Sequence, residues 1–244
     1  MEKLAAGWFL QIGVSLKKAL ATKKLNADDI HDIRVAARKI KTLAQDFKDI
    51  YPNKCWRVSN TAAHVLQKLS TQRDNQLFVQ FIRQVAKVNN AAFDKRIIAE
   101  LSEKSCFPKK LRTKFFRRLQ QCQRVLQKTV VNNSSGSYFE KHREKLEQLI
   151  EKYLGDYDDN RLHEIRIAAK KLRYNLECFG AKDQEWLKKA ISIQEAAGEF
   201  HDLMIFENKL TAVNLEEEFR LLVRQAIANQ KKCVRESILE VLKK

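Results

Sequence analysis

The chain has 244 residues, of which 44% are hydrophobic and 32% are charged, a balance typical of a globular protein that can bury a substantial core. Lys and Arg total 47 against 30 Asp and Glu, giving a net charge of +17 that attracts nucleic acid, anionic membranes or other polyanions without distinguishing among them. The five cysteines are odd in number and include no Cys-x-x-Cys pair, which argues against a disulfide framework or a zinc site and favours plain thiols in a reducing cytoplasm. No apolar stretch reaches the roughly 18 residues of a membrane span.

Helices are predicted throughout. With 6 Gly and 2 Pro, the chain has few of the residues that make the tight turns of β-sheets, so the predicted fold class is all-α. In the first half, the apolar periodicity predicts helices at 3–24, 28–50, 53–70, 74–100 and 108–130. In the second half, it predicts helices at 138–154, 159–179, 183–199, 202–212 and 215–242.

An internal repeat divides this helical chain. The polar segment Asn-Asn-Ser-Ser-Gly-Ser at 132–137 is predicted to link a first repeat at about 1–131 to a second at about 138–244 within a single domain. The sequence HDIRVAARKIK from His31 to Lys41 returns as HEIRIAAKKLR from His163 to Arg173, with six of eleven positions identical. Because the excess of basic residues lies in the first half, purely electrostatic attraction should depend most on that half.

Each copy of the motif places its cations on one side of a helix and its apolar residues on the other. These basic stripes consist of His31, Arg34, Arg38 and Lys41 in the first copy and His163, Arg166, Lys170 and Arg173 in the second. Solvated helix faces usually mix charges of both signs, whereas neither row is interrupted by an acid. Four neighbouring cations repel one another unless an anion compensates, so each stripe is predicted to bind one. Arg, Lys and protonated His suit phosphate, and binding should strengthen as the pH falls toward 6.

A third helix carries a similar basic face. Lys110, Lys114 and Arg117 are predicted on one side of the helix at 108–130, opposite its apolar residues. The second half has a looser version in Arg220, Arg224 and Lys231. For both faces, an anion-binding surface and an ordinary solvated surface remain open alternatives.

The sequence lacks the usual signs of an enzyme. Asp74 and Asp202 lie at matching places downstream of the two motifs, where each could bind a metal or brace a motif arginine; bracing is favoured because one acid is too few for a metal site. No Gly-rich phosphate loop, His-Glu-x-x-His motif or activated nucleophile is present. The chain is therefore predicted to be non-enzymatic and to need no metal or cofactor.

The duplicated motif, with Arg173-Tyr174 and the segment from Gly198 to Asp202, resembles the CHAD domain (conserved histidine α-helical domain) over essentially the whole chain. The resemblance implies two four-helix bundles related by pseudo-twofold symmetry around a basic groove or pore. It also implies binding of inorganic polyphosphate without catalysis, a cytoplasmic location on polyphosphate granules, and contact with partner proteins there. The stripe residues would carry the family's role. The first copy departs from the pattern, since Lys41 precedes Thr42 instead of a tyrosine and Ser70 stands where the second copy has Gly198.

The sequence also has to be compared with two other functions, nucleic-acid binding and phosphate transfer. An RNA- or DNA-binding protein could use the same basic surface, but the stripes lack the stacking aromatic residues of single-strand binders, with Tyr174 as the exception. A phosphate-transferring enzyme would need metal-holding carboxylates beside the cations. Glu177 is the one acid on the extended second stripe, where the first copy has Gln45.

Overall fold

The computed structural model describes residues 12–14, 25–48, 52–93, 95–101, 107–128, 135–179 and 183–243, and within these ranges it contains helices and no strand. The all-α prediction is thereby confirmed. The helices are α1 (Ala27–Asp46), α2 (Pro52–Val88), α3 (Lys95–Leu101), α4 (Lys109–Lys128), α5 (Ser135–Asp156), α6 (Asp159–Phe179), α7 (Gln184–Ala212) and α8 (Glu217–Lys243). Residues 12–14 are also helical.

Most predicted helices are confirmed, but two predicted breaks are wrong. The helix predicted at 74–100 is also not continuous, because α2 ends at Val88 and α3 begins at Lys95. The chain does not interrupt its helix before Asp74 or before Asp202, because α2 and α7 both run through these positions. Neither proline nor glycine occurs at 71–73, so nothing in the backbone ends α2 there. Gly198 costs α7 up to about 1 kcal/mol relative to alanine, but its buried neighbours Ala197 and Phe200 favour the continuous helix.

The start of the chain and its polar segment are only partly described. Of the predicted helix at 3–24, the structure describes residues 12–14. Of the polar segment at 132–137, residues 132–134 lie outside the described ranges, while Ser135 begins α5 three residues earlier than predicted.

Contacts along the chain define two compact units. Unit 1 comprises the described residues of 1–71, 105–144 and 171–187, and unit 2 those of 72–104, 145–170 and 188–244. The units are therefore interleaved along the sequence, and α2, α5, α6 and α7 each contribute residues to both. These units do not coincide with the two consecutive repeats, and the pseudo-twofold duplication stays a prediction.

The core of unit 1 fixes the orientation of α1. Ile33, Ile40 and Leu43 are fully buried in a cluster with side chains of α2 and α4, among them Leu69 and Phe115. Each such burial stabilises the fold by about 1.5–3 kcal/mol. At the start of α1, the Asn26 side chain accepts from the Asp29 amide at 2.7 Å and the Asp29 carboxylate accepts from the Asn26 amide at 3.0 Å. This capping box satisfies amides that would otherwise lack partners.

In unit 2, α6, α7 and α8 are joined by polar contacts around buried apolar side chains. The buried residues include Leu162, Ile165 and Ala169 of α6, Ile193, Phe200 and Leu203 of α7, and Val223, Ile227 and Ile238 of α8. Lys231 of α8 lies 2.6 Å from Glu207 of α7, and Arg235 of α8 lies 2.6 Å from Asp159 of α6. The second of these contacts holds the start of α6, four residues before His163.

The described cysteines are free thiols. Cys55, Cys122 and Cys178 are buried, and Cys233 is exposed. Burial raises the pKa of the Cys178 thiol, with the nearby carboxylates of Asp46 and Glu177 adding to the effect. A raised pKa keeps this thiol protonated and unreactive. Cys106 lies outside the described residues.

Candidate functional site

The first motif copy lies on α1 within unit 1, but its four cations differ in exposure. His31 is exposed, and Arg38 and Lys41 are half-buried. Arg34 is buried, with 8% of its surface exposed. The first stripe is therefore not a uniformly exposed row, because one member is largely packed into the protein.

The second copy lies on α6, with His163, Arg166 and Lys170 in unit 2. His163 is exposed, and its ring centroid lies 4.8 Å from that of His201 on α7. One turn earlier on α7, a Cβ atom added to Gly198 would lie 3.6 Å from Nε of Arg166. The glycine therefore leaves room for the guanidinium to lie against α7. The fold thus brings the motif and the downstream segment together.

His163 lies in an environment that disfavours its charged form. Partial desolvation of the ring, which lies against His201, is the largest cause and lowers its pKa. The positive charges of Arg166 and Lys170 lower it further, while Glu164 acts in the opposite direction. The two nearby cations therefore add to the effect of desolvation and favour the neutral imidazole at this part of α6.

The far end of the second stripe is compensated by an acid. Within unit 1, Nε of Arg173 donates to Oε1 of Glu177 at 2.6 Å. Nζ of Lys39 on α1 lies 2.8 Å from Oε2 of the same carboxylate. Lys39 also lies 5.6 Å from the ring centroid of Tyr174, which is only 4% exposed. A buried ring cannot offer its face to a nucleic-acid base, so Tyr174 is not a stacking platform.

The two downstream acids are half-buried inside helices, Asp74 in α2 and Asp202 in α7. Their bracing role stays a prediction. Among the described residues, no three His, Cys, Asp or Glu side chains converge on a point that could hold a metal ion. The sequence did not predict the hydrogen bond between Nε2 of His142 on α5 and Oδ1 of Asp46 on α1, at 3.0 Å. Neither residue belongs to the motif, so the repeat gave no signal for this contact.

The third basic face is exposed on α4. Lys110, Lys114 and Arg117 all lie at the surface. The basic residues predicted on α8 differ from those of α4. Arg220 lies 3.3 Å from Glu217, and Lys231 is paired with Glu207. These two cations of α8 therefore stabilise the fold, while the α4 cations remain a candidate binding surface.

Comparison with known proteins agrees with this architecture. The family model described as the CHAD domain matches residues 14–211, which is most of the chain. The solved structure of PptA from Streptomyces chartreusis has a TM-score of 0.71 with this structure, covers 100% of this chain and 99% of its own, and is 11% identical in sequence. This likeness shows a shared fold. No curated protein matches the sequence significantly. None of the helices in the described ranges is long and apolar enough to span a membrane.

Proposed function

Because the chain belongs to the CHAD family, we propose that it binds inorganic polyphosphate through the basic stripes of α1 and α6 without cleaving it. Polyphosphate presents closely spaced negative charges and no bases. Two rows of cations on helices complement such a ligand, because they supply charge along a line and need no base-reading groups. The remaining sequence candidates, Lys110, Lys114 and Arg117 of α4, are expected to add long-range attraction.

The observation that carries this proposal is the grouping of like charges around His163. Arg166 and Lys170 lie near enough to disfavour protonation of the imidazole, so the folded chain holds like charges together. A bound phosphate chain would reverse this effect by neutralising the cations. The stretch from His163 to Lys170 rises about 10 Å along α6, long enough to contact more than one phosphate of a chain.

The arrangement of the one acid on the extended stripe favours binding over catalysis. Enzymes that transfer phosphate commonly use carboxylates to hold metal ions against the phosphate oxygens. The Glu177 carboxylate is instead occupied by Arg173 and Lys39 at 2.6 and 2.8 Å. It therefore compensates protein cations. Under this proposal, the protein binds polyphosphate and leaves its anhydride bonds intact.

Affinity for polyphosphate would also direct the protein within the cell. A cytoplasmic protein with this affinity would accumulate on polyphosphate granules, where it could meet partner proteins bound to the same polymer. Binding several phosphates of one chain raises the effective concentration of the remaining contacts, so long chains should be retained far better than short ones.

The test is a titration of labelled long-chain polyphosphate at near-physiological salt, followed by fluorescence anisotropy. The double variant Arg166→Ala/Lys170→Ala should lose at least about tenfold in affinity, since it removes two phosphate contacts. The matched control is Lys188→Ala/Lys232→Ala, which removes one exposed cation from α7 and one from α8, both outside the basic faces named above. Equal losses in both would mean that net charge alone drives binding and would contradict the stripe.

Two further arms separate the alternatives. Single-stranded RNA, added at equal phosphate concentration, should displace polyphosphate poorly from the stripes; displacement as efficient as by unlabelled polyphosphate would remove polyphosphate as the assigned ligand. Phosphate release is measured with magnesium or manganese present. Turnover that Glu177→Ala abolishes would overturn the non-catalytic proposal.

A further inference from the structure

Two buried cysteines on neighbouring helices of unit 1 lie side by side. Cys55 belongs to the first turn of α2 and is 1% exposed, and Cys122 of α4 is 2% exposed. Both belong to one hydrophobic core cluster, and their side chains are hydrogen-bonded to each other. The Cys55 thiol donates to the backbone oxygen of Phe47 at 3.4 Å, so its sulfur is the acceptor in the contact with Cys122. Two thiols are therefore held together inside the protein, outside the proposed polyphosphate site.

The packing of α4 against α2 accounts for this contact. Nη1 of Arg118 on α4 donates to the backbone oxygen of Arg57 at 3.1 Å and to Oγ1 of Thr61 at 2.6 Å, both on α2. Cys122 lies one turn after Arg118 on α4, and Cys55 precedes both α2 residues that Arg118 contacts, so the two helices are antiparallel here. Facing residues on adjacent helices have Cα atoms roughly 4–6 Å apart, and a disulfide spans about 4.4–6.8 Å. The two cysteines are therefore placed where a disulfide can form.

The surroundings of Cys55 favour its thiolate, which is the form that attacks an oxidant. The hydrogen bond from Cys122 lowers the pKa of Cys55, while burial acts in the opposite direction. The same hydrogen bond and burial raise the pKa of Cys122. The first turn of a helix also carries partial positive charge, which stabilises a thiolate there. The pair therefore combines a thiol that ionises more easily with one that stays protonated beside it.

We propose that Cys55 and Cys122 form a reversible disulfide that locks α4 onto α2 when the protein meets hydrogen peroxide. The inference does not rest on the polyphosphate proposal. It assigns the two thiols a role beyond packing, because their contact, their antiparallel register and the position of Cys55 at a helix start all suit the same reaction.

The reaction has two steps. The Cys55 thiolate attacks one peroxide oxygen, the O–O bond breaks, and the leaving oxygen is protonated and departs as water, leaving a sulfenic acid on Cys55. The Cys122 sulfur then attacks the Cys55 sulfur, an S–S bond forms, and the S–O bond breaks as a second water leaves with the Cys122 proton. The two thiols are oxidised by two electrons, and the peroxide is reduced to two waters. A dithiol reductant reverses the change by thiol–disulfide exchange.

The oxidant can reach Cys55 through the start of α2. Cys55 is the fourth residue of this helix, so opening about one turn exposes its sulfur. Helix ends open at a lower cost in free energy than helix centres, and hydrogen peroxide is small and uncharged. Burial in the closed state should protect the same thiols from larger reagents.

A metal site is a poorer use of this pair. Structural zinc sites have four ligands, and two thiols supply half of them. Among the described residues, no three His, Cys, Asp or Glu side chains converge on one point. Cys178, another buried thiol of the same core cluster, has its pKa raised by burial and by the carboxylates of Asp46 and Glu177. It therefore stays protonated and provides the matched control.

The experiment oxidises the reduced whole chain with hydrogen peroxide, alkylates the remaining thiols after denaturation and maps tryptic peptides by mass spectrometry. Trypsin releases Cys55 in the peptide Cys55–Arg57 and Cys122 in the peptide Leu119–Arg124. These two peptides, joined by a disulfide, should be the main oxidised product and should separate in dithiothreitol. The disulfide should raise the melting temperature by about 10 °C, because it closes a long loop of the unfolded chain, and the reductant should remove this gain.

Three variants sharpen the test. Cys178→Ala keeps both thiols of the pair and should give the same linked peptides and the same gain in melting temperature. Cys122→Ser should abolish the gain and leave a sulfenic acid at Cys55 that dimedone labels. Cys55→Ser should abolish the gain and leave Cys122 unlabelled, because that thiol stays protonated.

The peptide map of the unsubstituted chain decides the proposal even if a variant does not fold. Cys55 and Cys122 that both remain fully alkylated after oxidation overturn it, as does a main disulfide that joins either of them to another cysteine. Polyphosphate affinity of the reduced Cys55→Ser variant should stay within about twofold, since the substituted thiol lies outside the stripes. The absence of the linked peptides therefore contradicts this inference alone and leaves the polyphosphate proposal standing.

Discussion

The two motif copies share a sequence pattern but differ in how the fold treats their charges. In the first copy Arg34 is buried, and the stripe position after Lys41 is the neutral, exposed Gln45. In the second copy Arg166 is only half-buried beside Gly198, and the corresponding acid, Glu177, pairs with Arg173. One motif cation is therefore buried in the first copy, Arg34, and one is paired with an acid in the second, Arg173.

The difference shows that cations at equivalent motif positions need not be equivalent as ligands. A helix pattern fixes which side chains share a face, but neighbouring helices decide which of them reach solvent. Lys39 illustrates this, because it comes from the first motif helix and compensates an acid on the second. Four tests, each based on one or two positions, can contradict or refine this comparison.

The largest expected effect separates the equivalent arginines Arg34 and Arg166. Because Arg34 is buried, Arg34→Ala should lower the free energy of unfolding by about 2 kcal/mol through lost packing of its aliphatic stem. Arg166→Ala should cost about 0.5 kcal/mol of stability, and its main effect should be on polyphosphate affinity. Urea denaturation and anisotropy measure the two quantities. Similar stability losses in both variants would contradict the difference in packing.

The second test concerns the glycine beside Arg166. Gly198→Leu should displace the guanidinium, since even a Cβ atom would lie 3.6 Å from Nε, and should weaken polyphosphate binding by about tenfold. Gly198→Ala is the matched control, because 3.6 Å is an ordinary van der Waals contact and alanine favours a helix. The alanine variant should keep its affinity and gain stability. Unchanged binding by the leucine variant would show that the position of Arg166 is unimportant.

The third test exchanges the residues that distinguish the ends of the two stripes. Glu177→Gln should raise polyphosphate affinity about threefold at low salt, because it removes the negative charge that compensates Arg173 and Lys39. Gln45→Glu should lower the affinity by a similar factor, since it creates an acid four residues after Lys41. Anisotropy at two salt concentrations measures both. Changes of the same sign would contradict the role of this position.

The smallest expected effect is the pH dependence contributed by His163. Its pKa in the folded chain is lowered, so the unfolded chain binds more protons in the interval just below the ordinary value of about 6.5. The stability of the free protein should therefore fall as the pH drops below 6.5. Polyphosphate bound as proposed would raise the pKa instead, so affinity should increase about twofold over the same interval. His163→Gln should reduce both trends, measured by melting and by anisotropy at pH 7.5 and 5.5.

The matched variant for this test is His31→Gln on the first copy. It removes the equivalent imidazole but leaves the His163–His201 contact in place. Melting curves of His31→Gln should therefore retain the pH dependence that His163→Gln loses. A pH dependence of stability that survives in His163→Gln would assign it to another group.

Local sequence patterns were enough to predict most helices of this protein, the positions of its motifs and its family. The apolar periodicity identified the face of α1 that carries Ile33 and Ile40, and the repeat located both stripes, because a helix converts spacing along the chain directly into position around its axis. The bounds of α6 were predicted correctly for the same reason. The family was also recognisable, since its motif lies within short stretches.

The tertiary structure decided what depends on residues distant in sequence. It carried α2 and α7 through the predicted breaks, buried Arg34, placed His163 beside His201 and brought Lys39 to Glu177. It also docked α4 against α2, where Arg118 donates to Thr61. Burial and charge compensation are set by the side chains that a neighbouring helix contributes, and one segment's periodicity contains no information about that neighbour.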